Sequence, residues 1–140
     1  MAKALGIDYG TKRTGIAITD AMQIIASGLT TVPTHTLDAF IADIVLKENI
    51  EYFVVGDPKN LDGTNTDSTG HVNGFVKRLQ RLYPTTLVYK IDERFTSKIA
   101  KKAIILSGIK KKSRSDKSLV DKISATIILQ DYLQAYNSNS

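Results

Sequence analysis

The sequence predicts an α/β domain in which a mixed β-sheet is covered by helices. Three observations lead there. Residues 4–8, 15–20 and 24–32 are rich in Ile, Val, Leu and Thr, and Gly10-Thr11-Lys12-Arg13 and Ala21-Met22-Gln23 separate them. Such connections are too short for a crossover helix, so the three runs pair as an antiparallel meander. Beyond them, short apolar runs alternate with segments of helical period. One of those runs, residues 52–56, is apolar without alternation, the pattern of a strand buried on both faces.

The elements follow in order. Leu37, Phe40, Ile41, Ile44 and Val45 fall at i, i+3, i+4, i+7 and i+8, one face of a helix, with Thr36 placed to act as N-cap. The strand at 52–56 ends at Gly56-Asp57-Pro58, and residues 60–69 form a polar loop. Val72, Phe75, Val76 and Leu79 repeat the helical spacing, and 86–91 is a further strand. Residues 96–107 read as a helix with Ile99, Ala103, Ile104 and Ser107 on one face, closed by Gly108. A basic loop occupies 110–117. A last helix runs from about 119 to 136, with Val120, Ile123, Ile127 and Tyr132 expected to be buried. The order β-β-β-α-β-α-β-α-α gives a five-stranded sheet, three strands antiparallel and two parallel, in one domain over 1–136. Residues 137–140 should be a frayed tail. Sites in such sheets sit at the carboxyl ends of the parallel strands.

Composition narrows the function. With no cysteine among 140 residues, a disulfide framework, a Cys-ligated zinc site, an iron–sulfur cluster and a thiol nucleophile are excluded. His35 and His71 have no second His or Cys nearby to complete a soft-metal site, and no role is assigned to them. The net charge is +5 and uneven: residues 1–76 carry five Lys/Arg against nine Asp/Glu, residues 77–140 fourteen against five. That asymmetry points to a basic surface facing a polyanion. The apolar stretch at the N-terminus is too short for a signal peptide and is interrupted by Asp8, and no run approaches the ~18 apolar residues of a membrane span. A cytoplasmic protein is expected.

Three carboxylates stand out. Asp8 ends the first strand inside Gly6-Ile7-Asp8-Tyr9-Gly10-Thr11-Lys12-Arg13-Thr14-Gly15. It is either a turn cap or a cation ligand, since burying it alone is costly. Asp92-Glu93-Arg94 follows the strand at 86–91 and reads either as a salt-bridged loop or as a site at a strand end. Asp121 lies in Ser118-Leu119-Val120-Asp121, which resembles a capping box but can also point inward. Together, hard oxygen ligands without His or Cys suit Mg²⁺ or Mn²⁺. Two such ions about 4 Å apart would clamp the attacking and leaving oxygens of a phosphodiester displacement. Lys12, Arg13, Arg94, Lys110, Lys111, Lys112, Arg114 and Lys117 would contact phosphate, although a run such as 110–117 can equally be a solvated charge block.

Four blocks closely resemble the signatures of the YqgF family, also called RuvX, described as Holliday junction resolvases or pre-16S rRNA nucleases. They are residues 6–15, Val54-Val55-Gly56-Asp57-Pro58-Lys59-Asn60-Leu61-Asp62-Gly63, Asp92-Glu93-Arg94-Phe95-Thr96-Ser97, and the segment from Val120-Asp121-Lys122-Ile123-Ser124-Ala125 to Leu133. They occur in order over almost the whole chain. The resemblance implies an RNase H-like fold with helices on both sheet faces and a metal-dependent endonuclease. The implied ligands are Asp8, Glu93 and Asp121, with Asp92 the alternate to Glu93. Asp57 stands where the family usually has an apolar residue. It reads as a solvated loop carboxylate or, less simply, as a further ligand. Phe95 replaces a frequent Leu, a conservative change.

The resemblance implies pre-rRNA or branched DNA as substrate, two Mg²⁺ or Mn²⁺ ions, and ribosome-assembly components as further partners. Asp8 would bridge the ions, Glu93 and Asp121 would hold one each, and Lys12 and Arg13 would orient phosphate. Either a monomer or a homodimer fits, a junction resolvase favouring the symmetric dimer. Two other readings compete: a non-catalytic RNA-binding ribosome-assembly module, and an actin-like or sugar-kinase-like phosphotransferase, which usually needs two such domains.

Overall fold

A computed structural model describes residues 3–23, 26–57, 69–92 and 117–138. Five strands form one sheet: β1 (Lys3–Asp8), β2 (Arg13–Thr19), β3 (Ala26–Pro33), β4 (Ile50–Asp57) and β5 (Leu87–Asp92). Helix α1 (Leu37–Lys47) joins β3 to β4, α2 (Thr69–Leu82) precedes β5, and α3 (Lys117–Ser138) closes the described chain. The spatial order is β3-β2-β1-β4-β5. The pairs β1–β2 and β2–β3 are antiparallel, and β1–β4 and β4–β5 are parallel. This is the mixed sheet that the short early connections and the later alternation predict. Among the described residues no helix is long and apolar enough to cross a membrane.

The two sheet faces carry different cores. Leu5, Ile7, Ile16, Phe53 and Val55 pack with Leu37, Ile41 and Ile44 of α1 and with Val72, Phe75, Val76 and Leu79 of α2. The opposite face is lined by small residues, Ala4, Ala17 and Ala26 with Val54, under Ala125, Ile128, Leu129, Tyr132 and Leu133 of α3. Strand alternation produces the split, since successive side chains point to opposite faces. On β1 the even positions face α3 and the odd positions face α1 and α2.

Small residues let α3 come close. A Cβ added at Gly6 would lie 2.9 Å from Leu129 Cβ and 3.0 Å from the Ala125 carbonyl oxygen. One at Gly28 would lie 2.9 Å from Lys122 Cγ and 3.0 Å from Thr126 Oγ1. At the other end of the sheet, the ring centroids of Tyr52, Tyr89 and Tyr132 lie 5.4 to 6.0 Å apart, the spacing of favourable aromatic contacts.

Buried and partly buried polar links fix the register. Thr19 Oγ1 accepts the Ala4 amide at 2.8 Å inside the sheet. The Lys3 amide donates to the Asn49 carbonyl at 2.7 Å, and Lys3 Nζ meets Glu48 at 2.6 Å, tying the start of β1 to the α1–β4 link. In the β2–β3 turn the Gln23 amide donates to the Asp20 carbonyl at 3.0 Å, with Gln23 at φ 55°.

Several expectations are corrected. Thr36 occupies the N-cap position of α1 without capping it; its hydroxyl donates back to the Pro33 carbonyl at 2.7 Å, within the 3₁₀ turn Thr34–Thr36. Helix α3 begins at Lys117, not 119, so Lys117 belongs to the helix and not to a basic loop. Its last turn extends to Ser138. Of the four residues predicted buried on α3, Tyr132 is buried and Val120, Ile123 and Ile127 are half-buried. The face against the sheet is instead Ser124, Ala125, Ile128, Leu129, Tyr132 and Leu133. The predicted helix at 96–107 and Gly108 lie outside the described residues.

Two glycine substitutions test this packing in opposite directions. Gly6→Ala should lower stability by about 1–3 kcal/mol through overpacking against α3. Gly74→Ala, on α2 where an added Cβ meets nothing within 4 Å, should raise it by about 0.5–1 kcal/mol through helix propensity. Urea unfolding midpoints, with unchanged slopes, report both.

Candidate functional site

Asp8 is the last residue of β1, and its position on the pleat is shared with Ala4 and Gly6, so it faces α3. Its partner across the antiparallel ladder is Gly15 of β2. Alpha carbons paired in this way lie about 4.5–5.5 Å apart. A Cβ on Gly15 would fall 2.0 Å from the Asp121 carbonyl oxygen and 3.1 Å from the Lys122 amide nitrogen. The backbone of α3 at Asp121 therefore rests in the space that Gly15 leaves, beside Asp8. Two of the three predicted carboxylates are thus brought to one end of one sheet face.

Asp121 does not cap its helix. It is the fifth residue of α3, beyond the first turn, and its carboxylate turns to the sheet. There Arg13 Nε donates to Asp121 Oδ2 at 2.9 Å, with the two side chains 38% and 24% exposed. Arg13 lies two residues before Gly15 on β2 and so shares its face. Neither its terminal nitrogens nor Asp121 Oδ1 has a hydrogen bond among the described residues. Arg13, predicted from the sequence as a phosphate contact, is here the counter-ion of a predicted metal ligand.

The turn between β1 and β2 is braced from the other side. Thr34 Oγ1 donates to the Gly10 carbonyl at 2.6 Å, and the Thr34 amide donates to the Lys12 carbonyl at 3.0 Å. The Thr14 and Thr34 hydroxyls lie 2.9 Å apart, with Thr14 fully buried. Gly10 is required in this turn because a Cβ there would fall 2.3 Å from the Arg13 carbonyl oxygen. Tyr9, next to Asp8, stacks on Phe75 of α2 at 4.6 Å. Arg78 covers the same Phe75 ring at 5.3 Å and pairs with Asp38 at 3.0 Å. The turn thus holds the end of β1 while leaving Lys12 exposed.

The remaining predicted residues separate clearly. Asp57 is the half-buried last residue of β4, not a loop residue. Alternation puts it with Phe53 and Val55 on the α1–α2 face, away from Asp8. Its register partner is Asp92, the last residue of β5 rather than the first residue after it. Tyr89 and Ile91 contact the α3-side cluster, so the odd positions of β5 take that face. Glu93, Arg94, Lys110, Lys111, Lys112 and Arg114 lie outside the described residues. Among those described, no three His, Asp or Glu side chains form a metal-sized group. His35 and His71 are exposed. Reading the sequence alone missed Gly15 and Thr34 as organisers of the site. The signal for Gly15 was its place in the first conspicuous glycine-rich block; Thr34 had none.

Comparison with known proteins adds to this geometry. The RuvX family, described as Holliday junction resolvase, matches residues 2–135. Curated relatives carry the name "Putative pre-16S rRNA nuclease". That of Flavobacterium johnsoniae is 53% identical over 135 residues, covering 96% of this chain and 98% of its own. That of Porphyromonas gingivalis is 47% identical over 133 residues, covering 95% and 96%. Among solved structures, Thermus thermophilus RuvC in complex with a Holliday junction substrate aligns with a TM-score of 0.62 at 15% identity, covering 100% of this chain and 98% of that one. The fowlpox virus resolvase with Holliday junction DNA gives 0.59 at 10% identity, covering 96% and 98%. At such identities the likeness is one of fold, the RNase H-like arrangement expected from the sequence.

The geometry makes two measurable statements. Gly15→Ala, which sets a methyl group against helix backbone, should cost more than the ~1–3 kcal/mol of ordinary overpacking. A double-mutant cycle of Arg13→Gln and Asp121→Asn, followed by thermal unfolding without divalent metal, should give a coupling of about 1 kcal/mol or less, because both groups are partly solvated.

Proposed function

The chain belongs to the RuvX family and is a nuclease, a hydrolase of phosphodiester bonds; from that premise we propose that it is a divalent-metal-dependent endonuclease that trims the 5′ region of precursor 16S rRNA. The observation that carries this reading is the seating of Asp121 on Gly15 directly across from Asp8. It gathers two acids from opposite ends of the chain at the carboxyl end of a central strand, where open α/β sheets hold their ligands.

The residues fit a hard cation. Asp8 and Asp121 offer oxygen donors only, and the chain has no cysteine to favour a softer metal. The Arg13 guanidinium at Asp121 supports placing positive charge at this corner of the fold. Mg²⁺ or Mn²⁺, when bound, supplies the charge that stabilises the attacking and leaving oxygens of the displacement. Asp8 and Asp121 would hold it, with Glu93 as third ligand in preference to Asp92. Glu93 has the same parity as Tyr89 and Ile91, the β5 positions on the α3 side. Lys12, exposed on the turn beside Asp8, would contact a phosphate flanking the scissile one. Arg94, Lys110, Lys111, Lys112, Arg114 and Lys117 would grip the backbone further along.

Precursor rRNA is preferred as substrate because the relatives named for it are about half identical and match nearly end to end. The second reading, a four-way DNA junction, rests on the family's description and would call for a homodimer with two cutting sites. Action on rRNA would place the protein in the cytoplasm among ribosome-assembly components. A catalytically silent RNA-binding module would bind without cutting.

Asp8→Asn should fold normally and lose Mg²⁺-dependent cleavage of a precursor rRNA fragment to background; wild-type rates would end the carboxylate–metal reading. Replacing Lys110, Lys111 and Lys112 together by Ala should flatten the log–log salt dependence of duplex binding by roughly 2–3 units. Parallel assays on precursor rRNA and on a mobile four-way junction, each with Mg²⁺ and Mn²⁺, decide between the two substrates.

A further inference from the structure

Arg13 is already engaged by a carboxylate. Its Nε is bound to Asp121 Oδ2 at 2.9 Å, and its chain position on β2 holds it on the α3 face beside Gly15. Without metal, Asp8 and Asp121 are two carboxylates at one end of a sheet face, and like charges so placed repel. A guanidinium bound to Asp121 offsets the negative charge of that carboxylate, as a metal ion would. The contact is one-point, made by Nε alone, whereas carboxylates bound purely for stability are commonly held by the two-pronged face of the guanidinium. The terminal nitrogens remain available, and more than a third of the side chain is exposed.

We propose that Arg13 is a resident stand-in for the metal: it holds Asp121 while the site is empty, is displaced from Oδ2 when a divalent cation loads, and then turns its guanidinium to the substrate phosphate. A dication held by Asp121 draws on the same negative charge that holds Arg13 at 2.9 Å, so loading weakens the Arg13 contact. The freed guanidinium has nowhere better to go than an incoming phosphate, for which its planar fork is suited. Arg13 is then a positioning residue that couples the two binding events: metal loading raises nucleic-acid affinity, and by linkage nucleic acid raises metal affinity. This inference rests on the reading of Asp8 and Asp121 as metal ligands.

The test uses the full chain. Mn²⁺ binding without nucleic acid, followed by electron paramagnetic resonance, should be about two- to five-fold tighter in Arg13→Gln than in wild type, the range expected for loss of a partly exposed competing charge. Arg13→Lys, which keeps the charge, should bind Mn²⁺ as wild type does. Asp121→Asn should weaken Mn²⁺ binding, and adding Arg13→Gln to it should change nothing further. In the wild-type chain itself, nitrogen NMR of the Arg13 Nε–H should show a hydrogen-bonded resonance that is lost at saturating Mg²⁺, a measurement that does not depend on any variant folding. Finally, Ca²⁺ should strengthen binding of an RNA hairpin more in wild type than in Arg13→Gln. If Asp121→Asn weakens Mn²⁺ binding while Arg13→Gln leaves it unchanged or weaker, or if the Nε–H signal ignores Mg²⁺, the stand-in role is overturned and the metal site stands. If neither Asp8→Asn nor Asp121→Asn affects Mn²⁺ binding, the metal site itself is overturned.

Discussion

A helix can approach a sheet at backbone distance only where the sheet presents no side chains. Gly6, Gly15 and Gly28 lie on three adjacent strands beneath α3, and a methyl group on any of them would press into the helix. This close approach sorts the two cores: Phe53 and Phe75 lie on the α1–α2 face, while on the other face the sheet presents Ala4, Ala17 and Ala26 to α3. It also sets the height and the rotation of α3, and with them the place of Asp121. Because Gly15 is the ladder partner of Asp8, the contact that seats the helix is also the contact that brings two acids together. Packing and chemistry here depend on one missing side chain.

The alternation of β2 divides labour around that contact. Arg13 and Gly15 face α3, one neutralising Asp121 and the other making room for it. Thr14, between them, faces the opposite way and joins Thr34 at 2.9 Å. Thr34 in turn holds the turn carbonyls of Gly10 and Lys12. The end of β1 is gripped on a third side by the Tyr9–Phe75 stack. A turn that carries charge next to a strand-end carboxylate is thereby braced by neutral groups.

Much of the fold was legible because it is written in local periodicity. Runs rich in Ile, Val, Leu and Thr with short links dictated the antiparallel meander, and the i, i+3, i+4 spacing of Val72, Phe75, Val76 and Leu79 named the buried face of α2 correctly. What failed was decided at a distance. The inward face of α3 was misjudged because the helix is apolar on several sides, and glycines on remote strands select which side fits. Ser118 looked like a cap, yet the helix begins earlier, and Asp121 is thereby released from capping and turned to Arg13. The site was half legible: Asp8 and Asp121 were named for their chemistry and do converge, but the role of Gly15 between them is a tertiary fact. Asp57, half-buried at the end of β4, faces away from Asp8 for a reason the sequence does contain, the parity of a strand, once its register is known.

The ion pair between Arg13 and Asp121 spans 108 positions of sequence. Contacts of such separation are the slowest to form, since a long loop must close before any of them rewards it. Chains grow from the N-terminus, so β1 and β2 leave the ribosome long before the segment that becomes α3. During that interval Asp8 faces a sheet with its glycine groove uncovered and with no second acid. Until α3 docks, this corner of the fold is incomplete, however well the five strands have paired. The Arg13–Asp121 pair and the approach of Asp121 to Asp8 form only once α3 has docked, so this end of the sheet face assembles late in folding.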